Sequence, residues 1–196
     1  LYNGVTEYVN STTGLKYVVG HSVSEFFLNR YAGVNPANGE QLWYDKNGNV
    51  TNEFRESDKV MTGKTYDAPW MGGFGTSFRW KGLQLSAQFS WIGTRYVINN
   101  DRYFEEGGVT FGTAYNQSRR VLYNRWKNPG DITDIPKWGE VNQLDDRYLE
   151  NASFLRLKNL SLSYSLPQAW LSKTKFFTLV RIYAKAQNLF TITGFN

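Results

Sequence analysis

The clearest pattern in the chain is an alternation of apolar and polar residues from position 74 to position 92, interrupted once. The interruption is Lys81-Gly82, which suits a two-residue hairpin turn because glycine readily adopts positive φ. The register that follows pairs Trp80 with Leu83, Phe78 with Leu85, Thr76 with Ala87 and Phe74 with Phe89. Every apolar residue then lies on one face, and a shift of one residue would destroy this arrangement. The pattern predicts an antiparallel hairpin with one apolar face.

A second alternating pattern runs from position 154 to 166 and returns from position 176 to 192. Its first strand is apolar at even positions from 160 onward, whereas Leu155 and Leu157 are out of phase. A β-bulge near Lys158-Asn159 would bring both halves onto one face. Both strands exceed the usual length of about five to six residues. They reach the length of about nine to eleven that a tilted membrane strand needs.

The connecting segments differ greatly in length. Lys81-Gly82 is minimal and Pro167–Lys175 is short, whereas Arg95–Leu149 is long and polar. Outer-membrane barrels have short periplasmic turns and long external loops. We therefore expect the two short turns on the periplasmic side and the long segment outside. Much of the first seventy residues should also be external, with short strands at Ser24–Tyr31 and Gln41–Tyr44.

The composition supports a membrane barrel. Aromatic residues make up 17% of the 196 residues, although the mean hydropathy is only −0.51. Barrels place aromatics in girdles at both membrane interfaces and keep polar loops and a polar lumen. The predicted girdle residues are Trp70, Trp80, Trp91 and Trp170. No apolar run is long enough for a transmembrane helix, and the chain, which starts at Leu1 without a signal peptide, is interpreted as part of a longer protein.

Other chemistry is weakly supported. The net charge of +5 is spread along the chain, which argues against nucleic-acid binding. Cysteine is absent, His21 is the only histidine, and Asp45–Asn49 fits a plain turn better than a calcium loop. The carboxylate pairs Glu105-Glu106 and Asp145-Asp146 leave a glycosidase open, since sequence cannot give the separation of the acids. We predict no catalytic residue, cofactor or metal site.

The long polar segment carries the candidate binding residues. Exposed aromatics stack on sugar rings or become buried at partner interfaces, and the alternative is that they pack the loop onto itself. The predicted contacts to cargo or to a lid protein are Tyr115, Tyr123, Arg125, Trp126 and Trp138. Arg119-Arg120 could bind an anion, but such a pair more often meets loop carboxylates.

Several further segments form a series along the chain: Tyr31-Ala32-Gly33-Val34-Asn35-Pro36, Tyr44-Asp45-Lys46-Asn47-Gly48, Gly72-Gly73-Phe74, Lys81-Gly82-Leu83-Gln84-Leu85-Ser86, Arg125-Trp126 with Asp134-Ile135-Pro136, Arg147–Asn151, Phe154–Pro167 and Arg181–Thr193. Taken in this order, they resemble the SusC/RagA family of TonB-dependent outer-membrane transporters. One such motif is weak evidence, but these motifs in the family's order are strong evidence, and they cover the chain from about Tyr31 onward.

The resemblance implies an all-β fold: an antiparallel transmembrane segment of a barrel of about 22 strands with long extracellular loops. The chain would be the C-terminal part of that barrel. Residues 1–71 would be mostly extracellular loop with short strands, 72–98 a hairpin, 99–149 a long extracellular loop and 150–193 a hairpin. The plug domain, the TonB box and the last strand would lie outside this chain.

The resemblance also implies a function. The family imports glycans or oligopeptides across the outer membrane of Bacteroides-type Gram-negative bacteria. Its partners are a SusD-like surface lipoprotein that caps the barrel, TonB acting through parts outside this chain, the cargo and the outer-membrane lipid. The alternatives are a soluble, aromatic-rich β-sandwich that binds carbohydrate and a hydrolase with a carboxylate pair. A complete eight-stranded barrel would need evenly spaced strands, for which the long loops leave too little chain.

Overall fold

The computed structural model describes residues 5–9, 16–107, 116–174 and 176–195. Its strands are β1 (Glu7–Val9), β2 (Lys16–Val18), β3 (Glu25–Leu28), β4 (Arg30–Val34), β5 (Gln41–Tyr44), β6 (Val50–Thr51), β7 (Val60–Thr65), β8 (Trp70–Trp80), β9 (Leu83–Gly93), β10 (Tyr96–Ile98), β11 (Leu149–Asn151), β12 (Phe154–Ser165) and β13 (Arg181–Thr193). Its α-helices are α1 (Asn100–Glu106), α2 (Arg119–Asn124) and α3 (Gln168–Leu171), and Glu56–Asp58 and Asp146–Tyr148 form single 3₁₀ turns.

The chain divides into two compact units. The sheet unit comprises Ala68–Arg95 and Asn151–Asn196, and the loop unit comprises Leu1–Asp67 and Tyr96–Glu150. The long strands lie in the sheet unit, whereas α1, α2 and most of the short strands lie in the loop unit. Among the described residues, no helix combines the length and the apolar character needed to cross a membrane.

The sheet unit is one antiparallel sheet with the strand order β13-β12-β9-β8. Its β8–β9 hairpin has the predicted register: Trp80 pairs with Leu83, and Phe74 pairs with Phe89. The turn is tight because Lys81 and Gly82 both have positive φ, 45° and 86°. A Cβ atom at Gly82 would lie 2.6 Å from the Ser165 carbonyl oxygen, so this position requires glycine for space as well as for conformation.

The predicted bulge in β12 is confirmed. The register with both neighbouring strands shifts between Leu157 and Asn159. On β13 the same irregularity places Asn188 at a φ of 50°, a conformation that asparagine tolerates better than most residues. Leu155 and Leu157 therefore lie opposite Trp91 and Phe89, in phase with the rest of the apolar face.

The bulge gives the sheet one continuous apolar face and one polar face. The apolar face is formed by Trp70, Phe74, Phe78 and Trp80 on β8, Leu83, Leu85, Ala87, Phe89 and Trp91 on β9, Leu155, Leu157, Leu160, Leu162 and Tyr164 on β12, and Ile182, Ala184, Ala186, Phe190 and Ile192 on β13. Much of it is exposed: Trp70 is 69% and Ile182 64% accessible. Among the described residues of this unit, no second sheet packs on this face, whereas the predicted alternative of a β-sandwich would place one there.

The predicted start of the returning strand is wrong. Position 176 was expected to begin it, but β13 begins at Arg181, which pairs with Ser165 at the end of β12. The residues before Arg181 have no strand opposite them, so the segment that connects β12 to β13 is longer than predicted. It includes the short helix α3, which follows Pro167, and it closes where the Leu166 N–H donates to the Val180 carbonyl oxygen at 3.0 Å.

The loop unit consists of small sheets around a small core. β3 pairs with β7, β4 pairs with β5, and β5 pairs with β6. The strand predicted at Ser24–Tyr31 is two strands, β3 and β4, separated by the buried Asn29, whereas β5 has the predicted bounds. The buried apolar residues of this unit are Leu28, Val34, Trp43, Val121, Ile135, Tyr148 and Leu149.

Candidate functional site

The predicted contact residues lie in the loop unit, around helix α2. The Ser118 side chain caps α2 by accepting a hydrogen bond from the Arg120 N–H, and Arg125 follows the last residue of the helix, Asn124. Tyr123 lies on α2 and is 66% exposed, with the Arg119 guanidinium 5.8 Å from its ring centre. Tyr115 lies outside the described residues. The Tyr123 side chain is therefore accessible to a ligand.

Arg125 and Trp138 are brought together. The Arg125 guanidinium lies 5.0 Å from the centre of the Trp138 ring, and this ring is 56% exposed. Burial lowers the pKa of Arg125, and the Glu106 carboxylate opposes this shift. Among the described residues, its buried Nε and Nη2 atoms have no hydrogen-bond partner. The pair thus offers a cation and an exposed aromatic side by side.

Trp126 has a different environment. Its Nε1–H donates to the Pro36 carbonyl oxygen at 3.1 Å. Its ring covers Gly39, where an added Cβ would come within 2.5 Å of the indole. Gly39 has a φ of +75°, so the turn after β4 and the tryptophan fit each other closely. Trp126 therefore anchors the 125–138 segment on this turn, and only part of its surface is free.

An open groove of about 590 Å³ runs beside α2. Tyr123 and Arg125 line one side, and Asp131 and Ile132 line another; the Ile132 side chain is 94% exposed. Asp131 shapes the wall because its Oδ2 accepts the backbone N–H groups of Lys127 and Asn128, each at 2.9 Å. These hydrogen bonds lower the pKa of Asp131. The groove is polar, apart from its exposed aromatic and Ile132.

Below the groove, an ion network connects α1, α2 and the segment after them. Arg120 contacts Glu106 at 2.6 Å and Asp134 at 2.6 Å, and Arg102 contacts Glu106 at 3.2 Å and Glu150 at 2.7 Å. Arg120 therefore meets loop carboxylates, the alternative weighed from the sequence. The sequence analysis missed the network. Its one sequence signal is the i, i+4 spacing of Arg102 and Glu106 on a helix.

A second polar centre lies at the Asp145-Asp146-Arg147 segment. The Asp145 side chain is fully buried and accepts from the Trp43 Nε1–H at 2.8 Å and from the Arg147 Nε–H at 2.9 Å. The Arg147 guanidinium lies 4.0 Å from the centre of the Tyr31 ring. Burial raises the pKa of Asp145, and Arg147 opposes that rise. This centre ties the segment before β12 to β4 and β5.

Three of the four paired carboxylates make contacts that stabilise the loop unit. Asp146 accepts from the Tyr31 N–H at 2.7 Å, while Asp145 faces Arg147. Glu106 is enclosed by Arg102 and Arg120. In none of these pairs do both carboxylates face a common opening, which a glycosidase would require. Asp45 accepts from the Asn47 and Asn49 N–H groups, each at 2.8 Å, in the turn that joins β5 to β6.

The four predicted girdle tryptophans lie in the sheet unit. Trp70 and Trp80 occupy opposite ends of the apolar face of β8, and both are exposed. Trp91 is less exposed because its ring lies over Gly72, where a Cβ would be 3.2 Å from Nε1. Trp170 lies on α3, beside the same end of the sheet as Trp80, and is 61% exposed. The exposed rings therefore lie at the two ends of the strands.

Long antiparallel strands with one exposed apolar face, one polar face and a large ordered loop unit define a segment of a transmembrane β-barrel. The comparisons agree. The chain is 29% identical over 158 residues to TonB-dependent receptor P3 of Formosa agariphila, covering 80% of this chain and 15% of that protein. It is 27% identical over 192 residues to TonB-dependent receptor SusC of Bacteroides thetaiotaomicron, covering 95% of this chain and 18% of SusC.

Among solved structures, the RagAB peptide importer in its open-open state matches the whole chain with a TM-score of 0.87 and 36% identity. The match covers 21% of the importer chain. No protein-family model matches. These relatives confirm the resemblance: the chain is a barrel segment of the SusC/RagA type, and it spans about a fifth or less of the proteins that it matches.

Proposed function

We propose that the chain forms part of the wall and the loops of a TonB-dependent importer in the outer membrane of a Gram-negative bacterium. The observation that carries this proposal is the match to the RagAB peptide importer over the full chain at 36% identity. The proposed activity is the uptake of glycans or oligopeptides. Oligopeptides are the first class to test, because the matched solved structures are described as a peptide importer and transporter.

In this function the apolar face of the sheet contacts lipid. Trp70 and Trp80 are ten residues apart on β8, which corresponds to about 33 Å along a strand. With a tilt of about 40°, the separation across the membrane is about 25 Å, the height of the apolar band of such barrels. This agreement supports Trp70, Trp80 and Trp170 as girdle residues. Trp91 contributes its exposed part at the Trp70 end.

The loop unit would meet the cargo or a SusD-like lipoprotein lid. Tyr123 and Trp138 are exposed aromatics, and Arg125 adds a cation, a combination enriched in the energetic centres of protein interfaces. The ion pair between Arg120 and Asp134 joins α2 to the groove wall, because Asp134 lines the groove. TonB would act through parts of the protein outside this chain.

The test uses the parent protein in its own cell. Deletion of its gene should abolish growth on an oligopeptide mixture or on a glycan that the wild type uses, and deletion of TonB should have the same effect. The tagged parent protein should be recovered from the outer membrane together with a surface lipoprotein. Recovery in a soluble fraction without detergent, or unchanged uptake in both deletion strains, would contradict the proposal.

A second experiment tests the contact residues. Tyr123→Ala and Trp138→Ala should each weaken binding of cargo or lipoprotein by about tenfold, as expected for interface aromatics. Trp126→Phe, which keeps the packing on Gly39, is the matched control and should weaken it less. Binding is measured by titration of the purified full-length transporter. Equal effects of all three variants would argue that these aromatics only pack the loop.

A further inference from the structure

The acidic residues of the chain are confined to one of its two units. All 17 aspartate and glutamate residues of the chain belong to the loop unit, and none belongs to the sheet unit. The sheet unit carries nine lysine and arginine residues. The sheet therefore has no carboxylate of its own to neutralise its cations. A chain with a net charge of only +5 thus contains a barrel wall of strongly positive charge.

Four of these cations lie on the polar face of the sheet. They are Arg79 on β8, Arg156 on β12, and Arg181 and Lys185 on β13. Their partners within the sheet are neutral: Arg156 Nε–H donates to Thr191 Oγ1 at 3.0 Å, and Arg181 Nε–H donates to Ser165 Oγ at 3.1 Å. These hydrogen bonds hold the two arginine side chains in place, and no carboxylate of the sheet unit compensates their charge. In a barrel this polar face points to the lumen.

The bulge creates a recess on the same face. It has a volume of about 370 Å³ and is lined by Gln88, Asn159, Lys185 and Gln187, with serines at its edge. The Asn159 amide N–H donates to Gln88 Oε1 at 2.9 Å, which fixes both amides. Lys185 is exposed above them. An ammonium group beside amide donors in a recess without carboxylates is chemically suited to a carboxylate ligand.

We propose that this polar face is a binding surface for anionic cargo, with the recess at Lys185 receiving a carboxylate group of an oligomer that carries several. The inference rests on the proposed import function and narrows its cargo class. Rows of arginine or lysine in a pore select anions in the same way. We favour cargo as the occupant, because a surface lined by charges of one sign raises the local concentration of substrates of the opposite charge.

The experiment uses the full-length transporter with its lipoprotein partner, purified in detergent. Two matched probe pairs are titrated: oligoglutamate with oligoglutamine of equal length, and oligogalacturonate with neutral oligogalactose. Within the pair that binds, the wild type should favour the acidic probe by about tenfold. Lys185→Gln and Arg156→Gln should each reduce that ratio by about threefold, the size expected for exposed ion pairs. Higher salt should reduce it further.

The controls separate charge from fold. Lys173→Gln removes a cation of the same unit that lies outside the strands and should leave the ratio unchanged. Lys185→Arg should retain it. A wild type without acidic preference, or a ratio that survives the double substitution, would overturn the proposal. The proposal would also be overturned if the variants lowered the stability of the transporter but kept the ratio. That result would mean that the cations pair with carboxylates elsewhere in the protein. Failure of the import function itself would appear separately, in cells, as the absence of TonB-dependent uptake of both members of each probe pair.

Discussion

The sheet unit and the loop unit are ordered by different physical means. In the sheet unit, residues close in the sequence pair through a two-residue turn, and every second side chain points to the apolar face. In the loop unit, the decisive contacts join residues far apart, as when Trp43 donates to Asp145 across 102 positions. The apolar core of the loop unit is small, and the unit also buries charged side chains such as Asp58, Glu106 and Asp145. A repetitive pattern therefore specifies the wall, whereas individual polar contacts specify the loops.

The substitution that we expect to destabilise the loop unit most is Asp145→Ala. The substitution leaves Arg147 buried without its carboxylate and the Trp43 N–H without an acceptor. Removing one partner of a buried ion pair costs about 3–5 kcal/mol. We expect the loops of the full-length protein to become protease-sensitive while the barrel still migrates as a folded species on gels. Glu105→Ala, which removes an exposed carboxylate on α1, is the control. A variant as resistant as wild type would show that the buried pair contributes little.

The corresponding change in the sheet unit is Phe74→Arg. Phe74 stacks on Phe89 at 4.8 Å on the apolar face, and a charge there would face lipid. An arginine near the membrane midplane costs about 2–4 kcal/mol. The control is Ser77→Arg on the polar face of the same strand, which should cost much less. Urea unfolding of the full-length barrel in lipid vesicles measures both. Equal destabilisation would contradict the assignment of the two faces.

A smaller effect is expected at the bulge. Asn188 has a φ of 50°, which is unfavourable for a β-branched residue. Asn188→Val should destabilise the barrel by about 1 kcal/mol, and Asn188→Gly should have little effect. Both are compared by the same urea titration. If valine is tolerated as well as glycine, the bulge does not depend on the backbone conformation at this position.

The smallest effect concerns pH. Backbone N–H groups of Asn128 and Lys127 lower the pKa of Asp131, so this carboxylate stabilises the 127–131 turn. Because the folded pKa is depressed, the stabilisation is present above the unfolded pKa and is lost as the pH falls through the folded pKa. Proteolysis of the turn should therefore accelerate in acid for the wild type. In Asp131→Asn the acid dependence should disappear; a wild-type pH profile in that variant would exclude Asp131 as its source.

Much of the sheet was predictable, because its information is local. The register of the β8–β9 hairpin and the bulge at Leu157/Asn159 followed from alternation alone. The start of β13 did not, because Phe176 continues the apolar pattern although no strand lies opposite it. The alternation of apolar and polar residues shows which face of a strand a residue occupies. The position at which the strand ends depends instead on the length of the strand that pairs with it.

The candidate site was predictable in composition but not in geometry. The loop aromatics were identified as a group, yet nothing in the sequence distinguished Trp126, whose ring covers Gly39, from Trp138, which is exposed. The partners of Arg120 and Arg147 were also hidden. Arg120 meets Glu106 of helix α1, and the Arg147 guanidinium lies over the Tyr31 ring of β4.

By itself, the sequence determined the two-faced strands, the position of the bulge, the aromatic content and the absence of carboxylates from the sheet. These properties depend on residue order within one strand or on composition, so no tertiary contact is needed to establish them. Only the tertiary structure decided which tryptophans are free, how the buried ion pairs are matched and that the bulge opens a recess beside Lys185. Those properties depend on side chains from distant positions meeting at a few ångströms, which no local pattern encodes.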